Sequence, residues 1–206
     1  MKVTHLGHAC ILVETDGARI LIDPGTLSSD FEGLRDLDAI VISHNHEDHL
    51  DVPKVLELIA ANPNAIVLAD PESAPSISAR AVKRGDRFDL GGSVIEVLGE
   101  THAPIYENFP GSANVAFLID GGEFFHPGDS FEVPEVKVDV LALPISGPWL
   151  KLGDAISYLR AVAPRVAIPM HEAAWADLGM PHSMLGHFTP EGTALTILER
   201  GVATEL

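Results

Sequence analysis

The sequence predicts an α/β fold in which two sheets pack on each other with helices outside. Short apolar runs bounded by turn residues recur along the chain, and a pattern of hairpins followed by strand–helix–strand occurs in both halves. This echo, without any repeat of residue identity, fits two packed sheets better than one doubly wound sheet. No flexible linker divides the chain, so residues 1–206 are read as one domain, long enough for a substantial core.

The elements follow in order. "ACILVET" and "ARILIDPG" flank "DG" and read as a hairpin. "DAIVIS" is a nearly continuous apolar run, expected of a strand buried on both faces. In "DVPKVLELIAANPN", Asp51 can cap a helix, Pro53 suits its first turn, and Val55, Leu58 and Ile59 form an apolar stripe. "AIVLAD" is a strand, "ESAPSISARAV" a short helical or irregular piece, and "RFDLGGSVIEVLGE" a pair of strands about "GG". The segment "THAPIYENFPGSAN" is expected to cross the top of a sheet without regular structure. "VAFLIDGGEFFHPGDS" repeats the strand–turn–strand pattern. "VDVLALPIS" and "RVAIPMH" are buried strands, joined through the helix "LGDAISYLRAVAP" with Ala155, Ile156, Leu159 and Val162 on its apolar side. Residues 170–190 read as apolar and irregular, either packing over the core or forming a lid or subunit interface, and "TPEGTALTILERG" reads as a last strand.

Thirteen Lys and Arg stand against thirty Asp and Glu, a formal charge of -17. That balance repels nucleic acid and anionic membranes, and it tolerates bound divalent cations. The single Cys10 excludes an internal disulfide framework. His, Glu and Asp interrupt the N-terminal stretch, so it does not read as a signal peptide, and no run approaches a membrane span. The expectation is a cytoplasmic protein acting on a small molecule, with no nucleic-acid or membrane partner.

The chemistry lies in "SHNHEDHLD", residues 43–51, which follows the buried strand "DAIVIS". His44 and His46, one residue apart, can point the same way from an extended backbone, and Asp48 and His49 follow immediately. Four such side chains at a strand end can face two neighbouring cations, since imidazole suits zinc and iron and a carboxylate compensates charge. His102, Asp129 and His171 also each follow an apolar strand, and strands of one sheet or of two facing sheets deliver their ends to a common edge. Gly128, just before Asp129, permits a close backbone approach.

"HNHEDH" resembles the His-x-His-x-Asp-His signature of the metallo-β-lactamase fold. "THLGHACILVE", "RILIDPG", "FFHPGDS", "LALPISGPW" and "AIPMH" extend the likeness over nearly the whole chain. The set looks most like the compact branch that includes the L-ascorbate-6-phosphate lactonases. The resemblance implies a four-layer αββα sandwich and two divalent metal ions, zinc first, with manganese or iron as alternatives. It implies one ion on His44, His46 and His102, a second on Asp48, His49 and His171, and Asp129 bridging. Asp23 would orient the cluster, and His8 of the "GH" motif would lie beside the metals and touch substrate. The implied activity is a binuclear, metal-dependent hydrolase whose metal-bridging hydroxide attacks a small ester, lactone or phosphodiester, with Asp48 and His8 as catalytic groups. Compact relatives often assemble into homo-oligomers. His46 stands where oxygen-reducing diiron relatives place Glu, which favours hydrolysis over redox chemistry. The competing expectation is a non-catalytic protein that binds or senses a small ligand through the same metals.

Overall fold

The computed structural model describes every residue except Asn108 and Pro110, two positions of the segment expected to be irregular. The first part of the chain forms strands β1 (Lys2–His5), β2 (Ile11–Glu14), β3 (Arg19–Ile22), β4 (Ala39–Ile42), β5 (Ile66–Ala69) and β6 (Arg80–Ala81), with helices α1 (Val52–Ala61) and α2 (Ala74–Ile77). There follow β7 (Arg87–Asp89), β8 (Val94–Leu98), β9 (Ala116–Ile119), β10 (Phe124–His126) and β11 (Val140–Pro144). Helix α3 (Leu152–Val162), β12 (Val166–Met170), helix α4 (Gly179–Phe188), β13 (Ala194–Leu195) and β14 (Thr204–Glu205) complete it.

The strands make two sheets, ordered β14-β1-β2-β3-β4-β5-β6 and β13-β12-β11-β10-β9-β8-β7. Each sheet is antiparallel through its hairpins and parallel beyond them, from β3 to β6 in one and from β10 to β13 in the other. The echo in the sequence is therefore a repeat of topology.

Side-chain alternation explains how the sheets stack. Ile11, Val13, Ile20 and Ile22 face the space between the sheets, where they meet Ile95, Phe117, Phe124 and Ile168. Leu12 and Leu21 point the other way, into a second core with Val55 and Leu58 of α1 and Ile77 of α2. On the second sheet, Leu141 and Leu143 pack outward against Ala155, Tyr158 and Leu159 of α3 and Leu185 of α4. The result is a four-layer αββα sandwich. Strand β4 is apolar throughout because Ala39 and Val41 face one core and Ile40 and Ile42 the other.

Helix α1 begins as expected: the Asp51 side chain accepts a hydrogen bond from the Lys54 amide, and Pro53 lies in the first turn. Two readings need correction. Residues 179–188 form a helix, although Gly179, Pro181 and Gly186 depress helix propensity, because Leu185 and Pro181 are buried. The C-terminal strand is two pieces of two residues each, β13 on the second sheet and β14 crossing back to β1 of the first. Strand β1 itself also went unread, since "KVTH" carries little apolar signal.

Candidate metal centre

The loops that leave β3, β4, β10 and β12, together with the irregular segment after β8, converge on one edge of the sandwich. The seven sequence-predicted ligands and His8 meet there in two groups. His44, His46, His102 and Asp129 form one; His8, Asp48, His49 and His171 form the other. Within each group one ligand atom per residue lies within 4.8 Å of all the others. Asp129 abuts both groups: Oδ2 is 3.3 Å from His102 Nε2 and 3.1 Å from His171 Nε2, and Oδ1 is 3.2 Å from His49 Nε2.

Hydrogen bonds fix which nitrogen of each imidazole is free. Asp23 is fully buried, and its Oδ2 accepts from His49 Nδ1 at 2.8 Å and from the Ser43 hydroxyl at 2.6 Å. Ser43 Oγ, having donated to Asp23, accepts from His44 Nδ1 at 3.0 Å. His102 Nδ1 donates to the Ala103 carbonyl at 2.6 Å. The Nε2 lone pairs of His44, His49 and His102 are thereby turned into the site.

His44 Nε2 lies 3.0 Å from His46 Nδ1, but the other lone pairs have no partner among the described residues. His49 Nε2, His102 Nε2, His171 Nε2 and Asp129 Oδ1 are buried without a hydrogen-bond partner. Such orphaned atoms are costly unless a further group satisfies them. Their close approaches to Asp129 are not aligned as hydrogen bonds, and crowding of this kind is what ligands of a shared cation show. Charge agrees. The ion pairs of Asp23, Asp48 and Asp129 are all with imidazoles, and no Lys or Arg faces them among the described residues. Burial opposes protonation of His171, but the charge of Asp129, assisted by Asp48, pushes its pKa up to about 9. Burial likewise opposes ionisation of Asp129, yet His49 and His171 hold it well below the usual carboxylate range. The donor set demands positive charge, and divalent cations fit it.

Residues 2–171 match the family model described as a beta-lactamase superfamily domain. The chain is a member of the metallo-β-lactamase superfamily. It is 42% identical over 179 residues to Protein Rv0786c of Mycobacterium tuberculosis, with 84% of each chain covered. It is 31% identical over 201 residues to a UPF0173 metal-dependent hydrolase of Bacillus cereus, covering 83% of this chain and 85% of that one. A solved metallo hydrolase from the hyperthermophilic archaeon Ignicoccus hospitalis shares the fold, with a TM-score of 0.74 at 23% identity over 98% of this chain and 97% of its own.

In this metallo-β-lactamase superfamily member, several residues without a sequence signature complete the site. Asn114 Oδ1 accepts from the Asp129 amide at 2.9 Å, and a Cβ on Gly128 (φ +59°) would lie 2.3 Å from that oxygen. Trp149 Nε1 donates to Asp129 Oδ2 at 2.8 Å and so grips its carboxylate. Glu172 Oε1 accepts from the His8 amide at 3.0 Å and supports a backbone held at φ 53°. Ser43 and Glu172 adjoin ligands in sequence, which is the one signal that pointed to them; Asn114 had none.

His8, expected to touch substrate, is 2% exposed, and its direct partner is Asp48, with Nε2 3.0 Å from Oδ2. Burial lowers the His8 pKa despite that hydrogen bond, which keeps the ring neutral with its Nε2 proton on Asp48. His126 donates from Nε2 to the Ala9 carbonyl and accepts at Nδ1 from the Gly128 amide, a link between the sheets. His182 and His187 lie on α4 and belong to neither ligand group. Arg84 pairs with Glu132 at 2.6 Å and Arg80 lies over the Phe88 ring, so these cations are occupied on the surface. Among the described residues no helix is long and apolar enough to cross a membrane.

Proposed function

We propose that this metal-dependent hydrolase of the metallo-β-lactamase superfamily works with two divalent ions, zinc foremost and manganese or iron as alternatives, on a small ester, lactone or phosphodiester. The observation that carries the reading is the pair of four-residue groups that share the Asp129 carboxylate between them. His44, His46 and His102 would hold one ion, and Asp48, His49 and His171 the other, with Asp129 bridging. Ions held there supply Lewis acidity and bring the pKa of water down to about 7 in the case of zinc.

The chain's own residues do the rest. Asp48 is ionised, because His171 and His8 outweigh the effect of burial on it, and its 29% exposed side chain is open to the reacting water. It accepts the proton that water gives up on attack, while the His8 N–H holds the carboxylate in place. Asp23 and Ser43 keep the imidazoles aimed, and Trp149 and Asn114 hold Asp129, so little reorganisation accompanies the reaction. The motifs around the ligands resemble those of the L-ascorbate-6-phosphate lactonases, which is a reason to include lactones beside other esters and phosphodiesters among the bonds to try.

A panel of small esters, lactones and phosphodiesters, assayed on the metal-loaded protein, tests this. Turnover of at least one class, abolished by a chelator and restored by zinc or manganese, is the expected result. Panel members that bind with no turnover under any metal would support the competing reading of a ligand-sensing protein.

A further inference from the structure

A cavity of about 220 Å³ opens directly on His46 and His102. It lies below the roughly 300–1,000 Å³ of pockets that take drug-sized ligands, so its occupant is small. Its walls divide by chemistry. Pro104, Ile105 and Phe109 present an apolar side, while Asn45, Ser112 and Glu72 present polar groups beside His46.

Among the described residues no Lys or Arg lines the cavity, and its one charged side chain other than histidine is the exposed Glu72. The turn that carries Glu72 is built: buried Asp70 accepts from the Glu72 amide at 2.8 Å and from the Ser73 amide. A phosphate group is ordinarily met by Arg, Lys or the N-terminus of a long helix. This cavity offers a carboxylate instead, on a chain of net charge -17.

Resting on the hydrolase reading above, we propose that the cavity selects a small uncharged carboxylic ester or lactone with a short apolar group, and rejects phosphate-bearing and other anionic substrates. The apolar group lies against Ile105 and Phe109, and the ester carbonyl is directed to the His46–His102 end. Attack by water forms a bond from its oxygen to the acyl carbon and breaks the acyl–oxygen bond. The water proton passes through Asp48 to the departing alkoxide, giving an acid and an alcohol from an ester and a single hydroxy acid from a lactone. No co-reactant beyond water is needed. The phosphorylated lactone thereby drops out, although the resemblance admits it.

The test uses matched pairs on the metal-loaded protein and on its Glu72→Lys variant: a short-chain γ-lactone and the same lactone bearing a phosphate monoester. Binding of the corresponding lactam and phosphorylated lactam is measured by calorimetry. The expected kcat/KM for the uncharged lactone exceeds that for its phosphorylated partner by about tenfold or more at low salt, and Glu72→Lys shrinks the ratio severalfold through KM. The lactams follow the same order in Kd. Equal or better use of the phosphorylated member, or a ratio unmoved by Glu72→Lys, overturns the proposal. Preferential binding of the uncharged lactam with no hydrolysis of either lactone would retain the ligand class and remove the hydrolase reading.

Discussion

The centre is an arrangement of proton positions before it is an arrangement of metals. Asp23 and Ser43 take the Nδ1 protons of His49 and His44, and the Ala103 carbonyl takes that of His102, so each ring offers Nε2. His171 has no such partner on Nδ1. In the metal-free protein its pKa rises from an ordinary 6.5 to about 9, because the charge of Asp129 outweighs burial. The sign follows: that proton stabilises the metal-free fold fully below pH 6.5, and the contribution is lost as pH rises through about 9. A cation needs the unprotonated ring. Zinc binding at pH 7 is therefore expected to release at least one proton per chain, and affinity to rise with pH up to about 9. Calorimetry in buffers of different ionisation enthalpy measures the release; binding with no proton release at pH 7 would contradict the charge balance. The ligands were legible in sequence because four of them crowd residues 44–49 and three others follow apolar strands. Asn114 acts through a contact between separate parts of the chain, and a hydrogen bond of that kind leaves no local pattern.

Element by element, the sandwich brings the loops after β3 and β4 into contact, and one glycine permits it. A Cβ on Gly25, just beyond β3, would fall 1.9 Å from the Asp48 carbonyl oxygen and 2.5 Å from the His49 nitrogen. Both loops are pinned, with the Thr26 amide donating to the Glu47 carbonyl at 2.8 Å. Gly25→Ala must push the ligand loop away, at a cost of roughly 1–3 kcal/mol. It is expected to lower the Tm and to weaken metal binding, whereas Gly33→Ala, with open space around the added methyl, leaves both unchanged. An unaltered metal affinity in Gly25→Ala would show that the two loops are less coupled than their contacts indicate. Buried strands such as β4 and β11 were readable because both faces are apolar. The helix α4 and the strand β14 were not, since tertiary contacts override weak local preferences at Gly179–Phe188 and Thr204–Glu205.

Across the whole molecule, two halves of like topology place their strand ends on one edge. The ligand set draws on both: His8, His44, His46, Asp48 and His49 from the first sheet, and His102, Asp129 and His171 from the second. The layer order was implied by the hairpin and crossover pattern and by the resemblance. The cavity beside His46 was not, because Glu72 and Phe109 are far from His46 in sequence and lack a motif. Titration of zinc into the metal-free protein tests the central claim most directly, with His46→Ala and His171→Ala measured beside it. Two equivalents per chain in the wild type, and one in each variant, is the result predicted by two ligand groups sharing Asp129. A wild-type protein that binds a single equivalent, or none after reconstitution, would contradict the binuclear account.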